Sequence, residues 1–167
     1  MIQLLREGAI AGIRFGQSRQ SVLSALMPPP SWLGKPPCIG REIQQFENSE
    51  TWFYDDEALG ITFNSAGVVD RVTVAPPEYQ STEYLVEYAA CFCNWSIGDV
   101  SNVLTLERLA HDAAQLTDGS RWILGESFYF LFLGDKARCS LLECFASQDA
   151  CIAALRSFGI KRGVDSA

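Results

Sequence analysis

The chain contains a single histidine, His111, and the residue after it is Asp112. An imidazole beside a carboxylate is raw material for general-base catalysis, provided the carboxylate can hold the ring in place. Read as part of a helix with an apolar stripe at Leu106, Leu109, Ala113 and Leu116, the two side chains point about 100° apart. Asp112 then cannot orient His111, and the histidine is expected at a surface or boundary. Ser127 lies in "GESFYF", which reads as a strand and lacks the strand-to-helix elbow of G-x-S-x-G. No catalytic residue is assigned, and the chain is expected not to be an enzyme.

Six cysteines are present: Cys38, Cys91, Cys93, Cys139, Cys144 and Cys151. Cys91 and Cys93 are one residue apart where zinc knuckles use two to four, and no CxxC pair occurs. The thiols are expected to be reduced and buried, with no metal site. Phosphate-binding and dinucleotide fingerprints are missing as well, because "GKPPC" lacks the spacing and hydroxyl of a P-loop, and Gly8, Gly12 and Gly16 recur outside any Rossmann context. No cofactor is expected. Asp55, Asp56 and Glu57 form the densest acidic run, but calcium loops place their ligands at alternate positions, so the run reads as a solvated hairpin turn.

Charge distribution is more informative than these motifs. Between residues 42 and 107 lie twelve carboxylates, Glu47, Glu50 and the Asp55–Glu57 run among them, against the single base Arg71. That stretch carries −11; since the whole chain carries −7, the remainder carries +4. Such a surface repels phosphate backbones, so nucleic acid is not an expected partner. It attracts a basic protein and steers its approach. The expected partner-binding residues are Asp55, Asp56, Glu57, Glu47 and Glu50, together with Trp32, which lies in the proline-rich stretch "PPPSWLGKPPCIG".

The elements that position these residues follow from periodicity. Ser18 is placed to cap a helix bearing Val22, Leu23 and Leu26 on one face, and Pro28 to Pro30 stop it. From residue 42 the pattern becomes strands: "EIQQF", "TWFYD", "LGITF", a turn at "NSAG", and "VVDRVTVAP" with Val72 and Val74 on one face. "STEYLVEYAACF" follows as a helical stripe of Tyr84, Leu85, Tyr88 and Phe92. "WSIGDVSNVLTL" then repeats the opening order of apolar residue, glycine, cap and Val-Leu. "RWILGESFYFLFLGDKARCSLLECF" parallels the first meander, matching Trp52 with Trp122, Phe63 with Phe132, and "NSAG" with "LGDK". Ser147 caps a last helix with its stripe at Cys151, Ala154, Leu155 and Phe158, and Gly159 follows as the C′ residue.

The fold class is therefore α+β: two tandem helix-plus-antiparallel-meander units with helices packed on the sheet or sheets. Residues 1–78 form the first unit, and residues 79–167 form the second with its C-terminal helix. A unit that cannot cover its own sheet gains by pairing with a copy of itself. "MIQLLREGAIAG" carries Arg6 and Glu7 within its apolar run, too short a run for a secretory leader, so a cytoplasmic location is expected. No stretch approaches the roughly 20 apolar residues of a membrane span.

The order Gly16, Ser18, Val22, Leu26, Pro28 resembles the opening of the small outer-membrane assembly lipoprotein family, and the tandem layout resembles that of beta-lactamase inhibitory protein. Met27 stands where the lipoproteins have glycine and no lipobox cysteine occurs, so their envelope role does not transfer. The resemblance implies a protein-binding scaffold, and size and acidity are similar to those of cytoplasmic immunity proteins of bacterial toxin systems. The leading expectation is an inhibitor or immunity protein that neutralises a basic toxin or nuclease. Two others stand beside it. One is a small-molecule-binding or enzymatic domain with a pocket between the units, lined by Trp32, Phe92 and Trp95. The other is a structural homodimer joined through an exposed edge strand.

Overall fold

Alternation of apolar and polar residues resolves into eight strands of one antiparallel sheet. The computed structural model describes residues 2–26, 43–46, 49–54, 58–75, 95–133 and 138–160, with 43–46 described as backbone. The chain opens with helix α1 (Ile2–Glu7) and a small hairpin of β1 (Ala9–Ile10) and β2 (Ile13–Arg14), followed by α2 (Arg19–Ala25). A first meander comprises β3 (Ile43–Phe46), β4 (Ser49–Tyr54), β5 (Leu59–Asn64) and β6 (Val69–Val74). Helix α3 (Ile97–Leu106) precedes a second meander of β7 (His111–Gln115), β8 (Arg121–Gly125), β9 (Phe128–Leu133) and β10 (Arg138–Phe145), and α4 (Gln148–Ser157) follows. The strand order is β3-β4-β5-β6-β10-β9-β8-β7. The two meanders are thus joined at β6 and β10 into a single sheet, and the α+β class holds.

The two meanders repeat one another in detail. Ser18 and Ser96 each cap the helix before a meander, accepting from the amides of Ser21 and Asp99. Each also bridges to the return strand, Ser18 opposite Val68 and Ser96 opposite Arg138. The amide of Val69 donates to the Gln17 carbonyl (2.9 Å), and that of Cys139 to the Trp95 carbonyl (3.0 Å). One residue later, each return strand has an extra residue. The β5–β6 register passes from Phe63↔Val69 to Thr62↔Arg71, leaving Asp70 over, and the β9–β10 register passes from Phe132↔Cys139 to Leu131↔Leu141, leaving Ser140 over. A bulge of this kind bends and twists its strand, so equal bulges give the two meanders the same local kink.

Counting on from the bulges, Thr73 matches Glu143, and these two residues face each other in the β6–β10 ladder. Val74↔Leu142 and Val72↔Cys144 flank them symmetrically. A local two-fold axis therefore passes between Thr73 and Glu143.

The same counting corrects one correspondence drawn from sequence. Trp52 pairs with Ile61, whereas Ile123, not Trp122, pairs with Phe130, the counterpart of Ile61. Trp52 therefore matches Ile123, and Trp122 matches Thr51. Side chains alternate along a strand, so this one-residue offset puts the two tryptophans on opposite faces. Trp52 contacts Phe63 and belongs to the apolar cluster that holds Ile61 and Val72, while Trp122 contacts Tyr129 and belongs to the cluster that holds Phe145, Cys151 and Leu155.

Two apolar clusters result, one on each face. The larger gathers Leu4 and Leu5 of α1, Val22 of α2, and Val100 and Leu104 of α3 with the inward residues of both meanders. The smaller sets Cys151 and Leu155 of α4 against Trp122, Leu124, Tyr129 and Phe145. Helix α3 touches β8, and α4 touches β9 and β10. Cys139, Cys144 and Cys151 are buried, and burial pushes the Cys144 thiol well up. The other three cysteines and the stripe at residues 84–92 lie outside the described residues.

The "NSAG" hairpin forms as its residues dictate. Asn64 Oδ1 accepts from the amides of Ala66 (3.0 Å) and Val68 (3.3 Å), and Gly67 takes φ +74°. A Cβ at Gly67 would stand 2.2 Å from Arg19 Nη1. Gly67→Ala combines a disfavoured backbone conformation with displacement of that guanidinium. It is expected to cost about 1–2 kcal/mol in urea unfolding.

Candidate binding surface

Of the residues expected to meet a partner, Glu50 is described; Trp32, Glu47, Asp55, Asp56 and Glu57 lie outside the described residues. In chain order, residues 47–48 fall between β3 and β4, and residues 55–57 between β4 and β5.

Glu50 is engaged within the chain. Its Oε2 lies 3.1 Å from Arg19 Nη2 and accepts from Arg19 Nε at 3.2 Å, while Oε1 accepts from the indole nitrogen of Trp52. The Arg19 guanidinium also lies 5.2 Å from the Phe63 ring centroid, and Phe63 stacks on Trp52 at 4.6 Å. Arginine suits this position because its planar fork can serve a carboxylate and lie on an aromatic face together. Sequence reasoning missed the pairing, since the partners stand 31 residues apart on different elements.

Two other described carboxylates of the acidic stretch are also occupied. Glu107 pairs with Arg6 at 2.7 Å. Asp99 accepts from the Ser96 amide and hydroxyl at 2.8 Å, and these bonds hold its carboxyl below the usual range. Asp70, the bulge residue, is pushed up by burial, with Arg71 opposing.

A polar network that the sequence did not reveal crosses five strands on the face that carries α4. Thr51 and Thr62 hydroxyls are 2.9 Å apart, Arg71 Nε donates to Thr62 Oγ1 (3.3 Å), and Arg71 Nη1 lies 3.8 Å from Glu143. Thr73 donates to Glu143 Oε1 at 3.0 Å, and the Tyr129 hydroxyl donates to Oε2. Glu143 is 8% exposed and sits on the local two-fold axis. Burial first, then the Glu143 charge and hydrogen bond, push the Tyr129 hydroxyl far above the ordinary tyrosine value. In the second meander the positions matching Thr51, Thr62 and Arg71 are Trp122, Leu131 and Leu141, which pack in or against the smaller apolar cluster. The repeat is thus polar in one half and apolar in the other. A buried polar set survives only when its members satisfy one another, as these do.

His111 does not lie in a helix. Helix α3 ends at Leu106, Arg108 takes φ +54°, and His111 opens strand β7. Its short, weakly apolar sequence "HDAAQ" gave no strand signal. Asp112 still points away from His111, now because successive strand residues face opposite sides. The ring is held instead by Ser101. Nδ1 donates to the Leu109 carbonyl (2.9 Å), leaving Nε2 to accept from the Ser101 hydroxyl (2.8 Å). A serine on an imidazole has the form of a nucleophile and its base. Ser101 lies within α3, however, where its amide belongs to the helical ladder and offers nothing to an oxyanion. The pair acts as a clasp between α3 and β7.

A groove of about 250 Å³ runs beside Gly8, lined by Leu5, Arg6, Phe15, Ser127, Phe128 and Cys144. Its charged groups are spent elsewhere, Arg6 on Glu107 and Glu7 on Gln3. Among the described residues, no three His, Cys, Asp or Glu side chains group as metal ligands, and no helix is long and apolar enough to cross a membrane. No protein-family model, curated protein or solved structure matches the chain.

Proposed function

We propose that the chain is a non-enzymatic protein-binding protein, a cytoplasmic inhibitor or immunity protein that neutralises a basic toxin or enzyme through its acid-rich half. The supporting observation is the asymmetry of charge. Twelve carboxylates fall between residues 42 and 107 with one base. Arg6 and Arg19 reach in from outside that stretch to compensate two of them. Counting these and Arg71, nine carboxylates remain in excess. An excess of that size accelerates encounter with a positive cleft, and the gain falls as salt rises.

Glu50, held by Trp52 and compensated by Arg19, is withdrawn from direct contact, which leaves Glu47, Asp55, Asp56, Glu57 and Trp32 as the proposed contact residues. The test uses the product of the adjacent gene as the basic partner. Replacing Asp55, Asp56 and Glu57 together by lysine is expected to slow association about tenfold at low salt and to flatten its salt dependence. Circular dichroism should stay unchanged. Association equally fast in the triple variant, or no complex at all in co-expression, would sink the proposal.

A further inference from the structure

Among the described residues the sheet has two edges, β3 and β7, about 34 Å apart across seven inter-strand spacings. Strand β7 pairs with β8 along its whole length, His111↔Gly125 through Gln115↔Arg121. Along its other side it has no ladder partner among the described residues. Unpaired backbone donors and acceptors in a row form a template for another strand, and proteins that stay monomeric blunt such edges with lysine, proline or a bulge. "HDAAQ" contains no lysine or proline, and its one carboxylate is Asp112. Its register with β8 is regular.

We propose that β7 is the interface of a homodimer, in which the β7 strands of two copies pair antiparallel about a two-fold axis at Ala113. This register is self-complementary. His111 faces Gln115 of the second copy, Asp112 faces Ala114, and Ala113 faces itself. The two Asp112 carboxylates are therefore never directly opposed, and small alanine side chains meet at the axis. Cross-strand neighbours set the strength of such pairs, and like charges face to face would oppose it. The exposed Ala113 is a position where a monomeric edge would gain from a charge.

The surroundings supply apolar area. Phe158, 49% exposed, stacks on Trp122 at 5.2 Å, and Trp122 is the β8 neighbour of Ala114. A second copy seated on β7 extends the face on which this ring lies. The Ser101–His111 clasp holds β7 to α3 and so presents the edge already ordered, which lowers the entropic cost of pairing. An isologous contact of this kind closes after two copies and does not propagate. It also leaves both β3 strands at opposite ends of a sixteen-stranded sheet.

Analytical ultracentrifugation of the full chain over a hundredfold concentration range tests the proposal. The expected result is a rise from monomer to twice the monomer mass. Ala113→Lys, which sets two ammonium groups at the axis on an exposed position, should shift the midpoint at least about tenfold to higher concentration. Hydrogen exchange on the unmutated protein gives a readout independent of that variant: amides of residues 111–115 should exchange more slowly at high concentration. A monomer throughout the range overturns the proposal. So does a dimer that leaves the exchange of residues 111–115 unchanged.

Discussion

Phe130→Ala is expected to lower the unfolding free energy by about 3–5 kcal/mol, the largest loss from any single substitution considered for this chain. Phe130 is fully buried at the middle of β9, with Phe128 at 5.9 Å and Phe132 at 6.5 Å between ring centroids. Its strand lies between β8 and β10, so neither neighbour can collapse into the space without breaking its own ladder. Cavity cost adds to the lost transfer energy when a site cannot relax. A native stability of roughly 5–15 kcal/mol leaves little margin for such a loss. Urea denaturation followed by tryptophan fluorescence measures it, because Trp52 and Trp122 are buried in the clusters on the two faces. A loss under about 1.5 kcal/mol would mean that β9 is not central to the core.

Glu143→Ala is expected to cost about 3 kcal/mol, through a different mechanism. Truncation leaves the buried Tyr129 hydroxyl and the Thr73 hydroxyl without their acceptor and removes the carboxylate facing Arg71. Glu143→Gln keeps an acceptor oxygen and should recover at least half of the loss; a purely steric role would show no such rescue. The network also sets an alkaline limit. Tyr129 in the folded chain holds its proton far above the ordinary tyrosine value of about 10. The unfolded chain releases that proton near pH 10, so this stabilisation is complete below pH 10 and declines as pH rises beyond it. In Tyr129→Phe the extra alkaline loss should disappear, and an unchanged pH profile would count against the assignment.

The readable parts of this protein in sequence were those where local chemistry decides. Ser18, Ser96 and Ser147 cap helices because a side-chain oxygen followed by an apolar stripe carries that signal by itself. The β4, β5 and β6 strands declared themselves by alternation, and Asn64–Gly67 by turn chemistry. Strand β7 did not, since His-Asp-Ala-Ala-Gln offers neither alternation nor β-branched residues. Matching Trp52 with Trp122 failed because period-2 patterns turn an error of one residue into the opposite face, and only the paired bulges at Asp70 and Ser140 fix the count. As for the surface, the acid excess was visible as composition. The engagement of Glu50 by Arg19 and of Glu143 by Arg71 was not, because each depends on elements brought together over 31 and 72 residues.

Joining the halves at β6 and β10 also dictates the order in which the chain assembles. Within each meander, neighbouring strands are linked by short connections, and their contacts form at small entropic cost. The central ladder instead pairs Thr73 with Glu143, 70 residues away. Each meander can therefore gain structure independently, while the seam between them waits on a long closure and forms last. Substitutions at the seam should then act mainly on the unfolding rate, whereas those inside a meander slow refolding.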